Sequence, residues 1–298
     1  MLASGGVQCW GLGGSGQLGN GGTVNSSTPV SVSGITTATS ISAGGNQSCA
    51  LLVNGGVQCW GNGVSGQLGN GGASSSTPVS VSGITMATAV SAGAFHSCAV
   101  LASGGLQCWG NGAFGQLGNG GGLDSSTPVP VSCITTATSV SAGDLHSCAL
   151  LVGAGVQCWG NGGNGQLGNG GTVDSSTPVS VFRVSNATRV DVGGTHTCAR
   201  LINGEIRCWG ANFSGQLGDG FGAVAVPVPQ FVGNCTLDLD GDGIVSPTTD
   251  GLLLVRALLG FSGNDVTANA TGANAQRNNW LAIRTHLQRK CGMPGLAP

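Results

Sequence analysis

Eight of the 12 cysteines form four pairs whose members are ten residues apart. A hairpin centred on Asn54 places Cys49 and Cys59 directly opposite each other on neighbouring strands, where their Cβ atoms are close enough for a disulfide. The alternative is a set of buried free thiols, but the identical spacing in every unit favours oxidation. The predicted disulfides are Cys49 with Cys59, Cys98 with Cys108, Cys148 with Cys158, and Cys198 with Cys208.

Repeated disulfides form in oxidising compartments, so we expect an exported protein that is extracellular or on the cell surface. Residues 1–10 lack the positive and apolar regions of a secretory signal, and we therefore expect the chain to be an N-terminally truncated fragment. Cys9 would then pair with a cysteine upstream of residue 1, and no partner is evident for Cys133. Zinc is a poor candidate because the Cys-x9-Cys spacing does not suit a zinc site.

A second group of residues with chemical potential lies near the C-terminus, where aspartates occupy positions 1, 3 and 5 of a loop with glycine at position 6. Hard carboxylate oxygens at this spacing, followed by a sharp turn, are typical of a calcium site. The closing ligand stands at position 13 rather than 12, and a solvated acidic turn without a metal is the alternative. The predicted calcium ligands are Asp238, Asp240, Asp242, the backbone carbonyl of Ile244, and Asp250.

Two helices are predicted after this loop, one from Asp250 to Leu259 and one near residues 275–289 with Trp280, Ile283 and Leu287 on one face. Loop and helices together resemble a dockerin type I-like module, which implies a small α-helical, EF-hand-like domain. A second Asp-rich loop is missing, so a two-site cohesin-binding surface does not follow. The remaining predicted disulfide, between Cys235 and Cys291, would tie the ends of this module together.

The elements that position the cysteine pairs are strands of an internal repeat. Cys-Trp-Gly recurs with its tryptophan at intervals of 49 or 50 residues, each time followed by Gly-Gln-Leu-Gly. One unit contains four short β-type segments, Pro78 to Val81, Ile84 to Ala92, His96 to Leu101 and Gly105 to Gly110. Four short strands per unit of this length are typical of a β-propeller blade, whereas the coils of a β-solenoid are usually shorter.

The segments Ala142 to Leu150 and Gly155 to Gly168 resemble the regulator of chromosome condensation repeat family. The resemblance implies a mainly β protein, a β-propeller with about four full blades plus fragments in this chain. We therefore predict two domains, propeller repeats over residues 1–233 and the calcium module over residues 234–298. Because one fold hosts many functions, the resemblance alone implies neither nucleotide exchange nor chromatin binding.

Composition excludes several classes of function. Charged residues make up 7% of the chain, and neither Lys nor Arg occurs before Arg183, so nucleic acid is a poor partner. No apolar run is long enough to span a membrane. The Gly-x-Gly-x-x-Gly patterns, as at Gly61 to Gly66, are interpreted as blade turns because Gln-Leu-Gly follows them where a dinucleotide site needs a helix. His96, His146 and His196 recur once per repeat and are interpreted as packing or hydrogen-bonding residues, so we expect no enzyme.

We predict a non-enzymatic recognition or adhesion protein whose propeller loops bind a protein or polysaccharide at the cell surface, with calcium as the cofactor of the C-terminal module. Loop residues at corresponding positions differ, as Phe95, Leu145 and Thr195 do. Two alternatives stay open. One is a regulator similar to guanine-nucleotide exchange factors, by family analogy, and the other is an accessory part of a secreted enzyme that degrades cell walls or polysaccharides.

Overall fold

Short segments rich in Ser, Thr, Val and Ala, separated by glycine turns, form the strands of this protein. The computed structural model describes residues 1–218, 226–231, 280, 281 and 283. These residues contain four four-stranded sheets and one two-stranded sheet. The prediction of a mainly β chain with about four full blades plus a fragment is confirmed.

Within each sheet the strands lie side by side in chain order. The two-stranded sheet consists of β1 (Gln8–Gly11) and β2 (Ser26–Ser31). Blade one consists of β3 (Ala38–Ala43), β4 (Gln47–Leu52), β5 (Val57–Gly61) and β6 (Ser75–Ser80). Blade two consists of β7 (Ala87–Ala92), β8 (His96–Leu101), β9 (Leu106–Gly110) and β10 (Ser125–Pro130). Blade three consists of β11 (Ala137–Ala142), β12 (His146–Leu151), β13 (Val156–Gly160) and β14 (Ser175–Ser180). Blade four consists of β15 (Ala187–Val192), β16 (His196–Leu201), β17 (Ile206–Gly210) and β18 (Val226–Phe231).

The first strands of successive blades are neighbours: β3 contacts β7, β7 contacts β11, and β11 contacts β15. The turns that follow these four strands line one common cavity. The first strand of each blade is therefore the inner one, and the blades pack around a shared centre as in a propeller.

The sequence repeat and the blade are out of phase. The Pro-Val segment that opens the predicted unit belongs to β6 of blade one, where Val79 pairs with Cys59 of β5 in the same sheet. The inner strand of blade two begins at Ala87 rather than at Ile84, whose side chain is buried in the turn before it. One sequence repeat therefore runs from the outer strand of one blade into the next blade and joins the two covalently.

The hydrophobic core lies between consecutive blades. One cluster combines Leu51 and Val57 of blade one with Ala99 and Trp109 of blade two, and equivalent clusters follow along the chain. Burying a tryptophan removes about 150–250 Å² from water, so these contacts dominate the packing. Because each blade covers only its neighbours, stability is built from adjacent pairs.

The chain divides into two compact units, residues 1–212 with 224–229, and residues 213–223 with 230–298. In the second unit, Trp280, Leu281 and Ile283 are helical, with Trp280 and Ile283 buried and Leu281 exposed. The rest of the predicted helical module lies outside the described residues, so this domain and its boundary at residue 234 stay predictions. In the part of the chain that the structure describes, we find no helix with the length and apolar character needed to cross a bilayer.

Candidate functional site

In each of the four blades, one disulfide joins the two middle strands. Cys49 pairs directly with Cys59 in the register of β4 and β5, and their Cα atoms are 4.0 Å apart. Closing a short loop in this way restricts the unfolded chain and stabilises the hairpin. All four predicted pairs with ten-residue spacing are bonded, and the other three are Cys98 with Cys108, Cys148 with Cys158, and Cys198 with Cys208.

The Gly-Gln-Leu-Gly turn of one repeat packs against the buried tryptophan of the next blade. Nε1 of Trp60 donates to the carbonyl oxygen of Gln17 at 2.9 Å, and Oγ of Ser48 donates to the same oxygen at 3.1 Å. Gly19 has a φ of 70°, and a Cβ there would lie 2.7 Å from Nε1 of Trp60, so only glycine fits. In the later repeats, the equivalent backbone carbonyl also accepts one hydrogen bond from a tryptophan and one from a serine or threonine. These carbonyls belong to Gln67, Gln116 and Gln166.

The repeated histidines extend this interblade network. Nε2 of His96 lies 2.7 Å from Oγ of Ser147, which already donates its hydrogen to the carbonyl of Gln116. Ser147 must therefore accept, so His96 donates from a neutral Nε2–H tautomer. Burial lowers the pKa of His96 to about 4, which keeps the imidazole neutral. His96 links blade two to blade three.

The same link recurs in the next pair of blades, where Nε2 of His146 lies 2.9 Å from Oγ1 of Thr197. Burial, followed by the neighbouring histidines, lowers the pKa of His146 to about 3. In blade one, Gln47 takes the histidine position and donates to the carbonyl of Gly93 at 2.9 Å. These residues are hydrogen-bonding parts of the framework, as the sequence predicted, but their partners were not predicted.

The inner strands carry a second row of interblade bonds. Oγ of Ser42 accepts from the backbone N–H of Ala92 at 3.0 Å, and Ser91 and Ser141 make the same bond to the following blade. In blade four, Asp191 takes the place of this serine and forms an exposed ion pair with Arg189, with 2.6 Å between Nε and Oδ2. An exposed pair of this kind contributes little to stability.

Two sets of loops meet at one end of the blades. The N–H of Asn62, just after β5, donates to the carbonyl of Asn46, just before β4, at 2.8 Å, and Asn111 makes the equivalent bond to Phe95. We call this surface the loop face. It comprises residues 44–46, 93–95, 143–145 and 193–195, together with residues 62–66, 111–115 and 161–165.

Side chains on the loop face vary while its backbone hydrogen bonds repeat. Asn46, Phe95, Leu145 and Thr195 occupy corresponding positions. Phe95 is 46% exposed, Phe114 39% and Val64 85%, which leaves apolar groups in solvent on a chain with few aromatics. Of these, the sequence reasoning selected only Phe95. Phe114 was missed, although it replaces the serine found at position 65 of the preceding repeat.

The remaining predicted site residues are the calcium ligands and the cysteines outside the four ten-residue pairs. The calcium ligands Asp238, Asp240, Asp242, Ile244 and Asp250 lie outside the described residues, as do Cys235 and Cys291. Among the described cysteines, Cys9 and Cys133 are free; burial raises the thiol pKa of Cys9, whereas Cys133 is exposed. Cys133 has a φ of 59° at the place that Gly34 and Gly83 take in earlier repeats.

The repeats match a known family. The model described as Regulator of chromosome condensation (RCC1) repeat matches residues 4–51, 54–100, 103–150 and 155–200, more than half of the chain. A second model of the same repeat matches residues 38–67, 87–116, 137–166 and 187–216. The chain therefore belongs to the RCC1 repeat family. A comparison with curated protein sequences gave no match.

Solved structures with this fold include two of the yeast protein Prp20 and one of a human protein. Yeast RCC1 (Prp20), crystallised bound to Kap60, is 23% identical with a TM-score of 0.65, and the match covers 75% of this chain and 57% of that protein. Prp20p from Saccharomyces cerevisiae, whose binding to Gsp1p and histones was described with its structure, is 22% identical with a TM-score of 0.66, covering 74% and 56%. Human WBSCR16 is 25% identical with a TM-score of 0.70, covering 78% and 63%. The chain thus spans less than two thirds of the length of each of these proteins.

Proposed function

We propose that this chain is an exported, non-enzymatic recognition protein that binds a partner protein or polysaccharide through its loop face. The observation that carries the proposal is the contrast on that face between a repeated backbone and varied, exposed side chains. Loops held on a rigid framework are a common place for binding residues. Protein binding by Prp20p, to Gsp1p and histones, supports a recognition role for the fold.

Export is supported by the four disulfides, which persist in oxidising compartments and are rare in the reducing cytosol. The alternative of an intracellular nucleotide-exchange regulator needs these thiols reduced. Non-reducing mass spectrometry on protein taken from its native host tests this directly. Disulfide masses would support export, and free thiols at all eight positions would overturn it.

We further propose that the C-terminal residues form a calcium-stabilised, dockerin-like module of bacterial type. The spacing of Asp238, Asp240 and Asp242 supports this assignment, because three nearby carboxylates repel one another without a cation. Calorimetry on the full chain should show calcium binding that Asp240→Ala abolishes. Absence of binding heat in the wild-type protein would remove the metal and leave the propeller proposal standing.

The recognition proposal is tested by comparing a variant of the loop face with a variant at the opposite end of the blades. A loop-face variant combines Phe95→Ala with Phe114→Ala. A matched control combines Val53→Ala with Val152→Ala, which removes exposed apolar groups from the turns between β4 and β5 and between β12 and β13. Full-length proteins are applied to arrays of cell-surface proteins and polysaccharides. We expect binding by the wild-type and control proteins and loss of binding by the loop-face variant. Equal binding by all three, or no binding at all, would refute the proposal.

A further inference from the structure

A small cavity opens on the loop face between blades one and two. Its volume is about 220 Å³, below the roughly 300–1,000 Å³ of sites for drug-sized ligands. None of its lining side chains carries a charge. They are Asn46, Asn62, Val64, Ser65, Gln67, Ala94 and Phe95.

The amide of Asn62 is oriented by two hydrogen bonds. Its Oδ1 accepts from the N–H of Val64 at 2.9 Å and from Nε2 of Gln67 at 3.2 Å. Both bonds go to the oxygen, so they distinguish it from the amide nitrogen. In the part of the chain that the structure describes, Nδ2 of Asn62 has no protein acceptor and is available to a ligand.

Neighbouring repeats show that this free donor is specific to one blade. Nδ2 of Asn111 donates to Asp124 at 2.9 Å, and Nδ2 of Asn161 donates to Asp174 at 3.1 Å. Those aspartates also accept from the backbone at Gly112 and Gly162. In blade one, Ser74 makes only the backbone bond, to Gly63. Replacing the aspartate by serine thus releases the Asn62 donor and removes a negative charge.

The second side of the cavity is apolar. Phe95, from blade two, and Val64, from blade one, both line it and are both exposed to solvent. An aromatic ring next to amide groups is a combination that suits a sugar. The ring face packs against the C–H groups of a pyranose, and amides offer both donors and acceptors to its hydroxyls. Acidic sugars are disfavoured because no Lys or Arg occurs before Arg183.

We infer that this cavity binds one neutral pyranose unit of a polysaccharide. Phe95 provides the stacking surface, and the amides of Asn62 and Asn46 hydrogen-bond to the sugar hydroxyls. The inference rests on the proposed recognition function and assigns a saccharide, rather than a protein, to this part of the loop face.

The test is isothermal titration calorimetry of the full chain with cello-, malto-, xylo-, manno- and chitohexaose. Wild-type protein should bind at least one of these neutral hexasaccharides. Phe95→Ala should weaken that binding about tenfold, because it removes the stacking surface. Phe95→Trp should retain binding. Phe114→Ala, at another exposed phenylalanine of the loop face that does not line the cavity, should change affinity less than about twofold on the same scale.

Each other result overturns the inference in a recognisable way. Saccharide binding that Phe95→Ala leaves unchanged would place the sugar elsewhere. Absence of binding to all five hexasaccharides, together with array binding to a protein that Phe95→Ala abolishes, would make this surface a protein-docking site and keep the recognition function. Absence of every kind of binding on the arrays would remove both proposals.

Discussion

Removing the hydroxyl of Ser147 should destabilise the propeller by leaving a buried imidazole without a partner. In Ser147→Ala, Nε2–H of His96 loses its acceptor, and both residues are fully buried. The carbonyl of Gln116 loses one donor but keeps Nε1 of Trp159 at 2.9 Å. An unsatisfied buried donor costs about 1–3 kcal/mol, whereas loss of an ordinary hydrogen bond costs about 0.5–1.5 kcal/mol. We therefore expect Ser147→Ala to lower the free energy of unfolding by about 2–4 kcal/mol.

Ser97→Ala is the matched control. Ser97 is also fully buried and donates to the carbonyl of Gln67, but residue 47 of the preceding blade is glutamine and bonds to backbone carbonyls instead. This variant should lose only about 0.5–1.5 kcal/mol. Urea unfolding followed by circular dichroism, with disulfides intact, measures both changes.

Repeating the Ser147→Ala substitution in a His96→Gln variant separates the contribution of the histidine. His96→Gln reproduces the arrangement of blade one, in which Gln47 donates to the carbonyls of Gly93 and His96. In that background, Ser147→Ala should cost no more than Ser97→Ala does in the wild-type protein. Equal costs for Ser147→Ala and Ser97→Ala in the wild-type protein would refute the assignment of His96 as the donor.

Three further predictions concern pH, the disulfides and the backbone. Burial lowers the pKa of His96 to about 4 and of His146 to about 3 from 6.5, so the unfolded chain binds protons first. Stability should be full above pH 6.5 and fall steadily as the pH is lowered towards 3, and urea titrations should show a shallower decline for His96→Gln. Replacing Cys98 and Cys108 together by alanine should lower the free energy of unfolding by about 2–3 kcal/mol, and a loss below about 0.5 kcal/mol in urea would mean that the bond does not constrain the unfolded chain. Ala154 has a φ of 65° where other repeats have glycine, so Ala154→Gly should raise the melting temperature, with a gain of about 0.5–1 kcal/mol, and a lower melting temperature would contradict this account.

The sequence was sufficient to predict the parts of this fold that depend on local spacing. Ten residues between Cys49 and Cys59 define a hairpin register that the structure reproduces. Recurrence of tryptophan every 49 or 50 residues indicates the blades. The phase of the blade could not be predicted, because shifting the starting point of a periodic pattern leaves the pattern unchanged. Only the pairing of β6 with β5 shows that the Pro-Val strand closes the preceding sheet.

Contacts between blades could not be predicted from local sequence patterns. His96 and its partner Ser147 are 51 residues apart, and nothing in either segment specifies how two blades pack. The cavity beside Phe95 could not be predicted for the same reason, because its walls come from loops of two different blades. A signal for the free amide of Asn62 was nevertheless present in the sequence, because serine replaces aspartate at position 74.

Each blade packs against the turn that precedes it. Trp60, which receives the Gly-Gln-Leu-Gly turn of the preceding repeat, is 1% exposed. That turn contributes a backbone carbonyl, a glycine that leaves no room for a Cβ and a buried leucine, so replacing the glycine or the leucine disrupts the contact between blades. The side chains of Phe95 and Phe114 are partly exposed and do not hold those loops, because backbone hydrogen bonds and amide side chains such as Asn62 do so. Substitutions at positions such as 95 and 114 can therefore change the chemistry of the surface at little cost to stability, which is the physical basis for the proposed recognition role of the loop face.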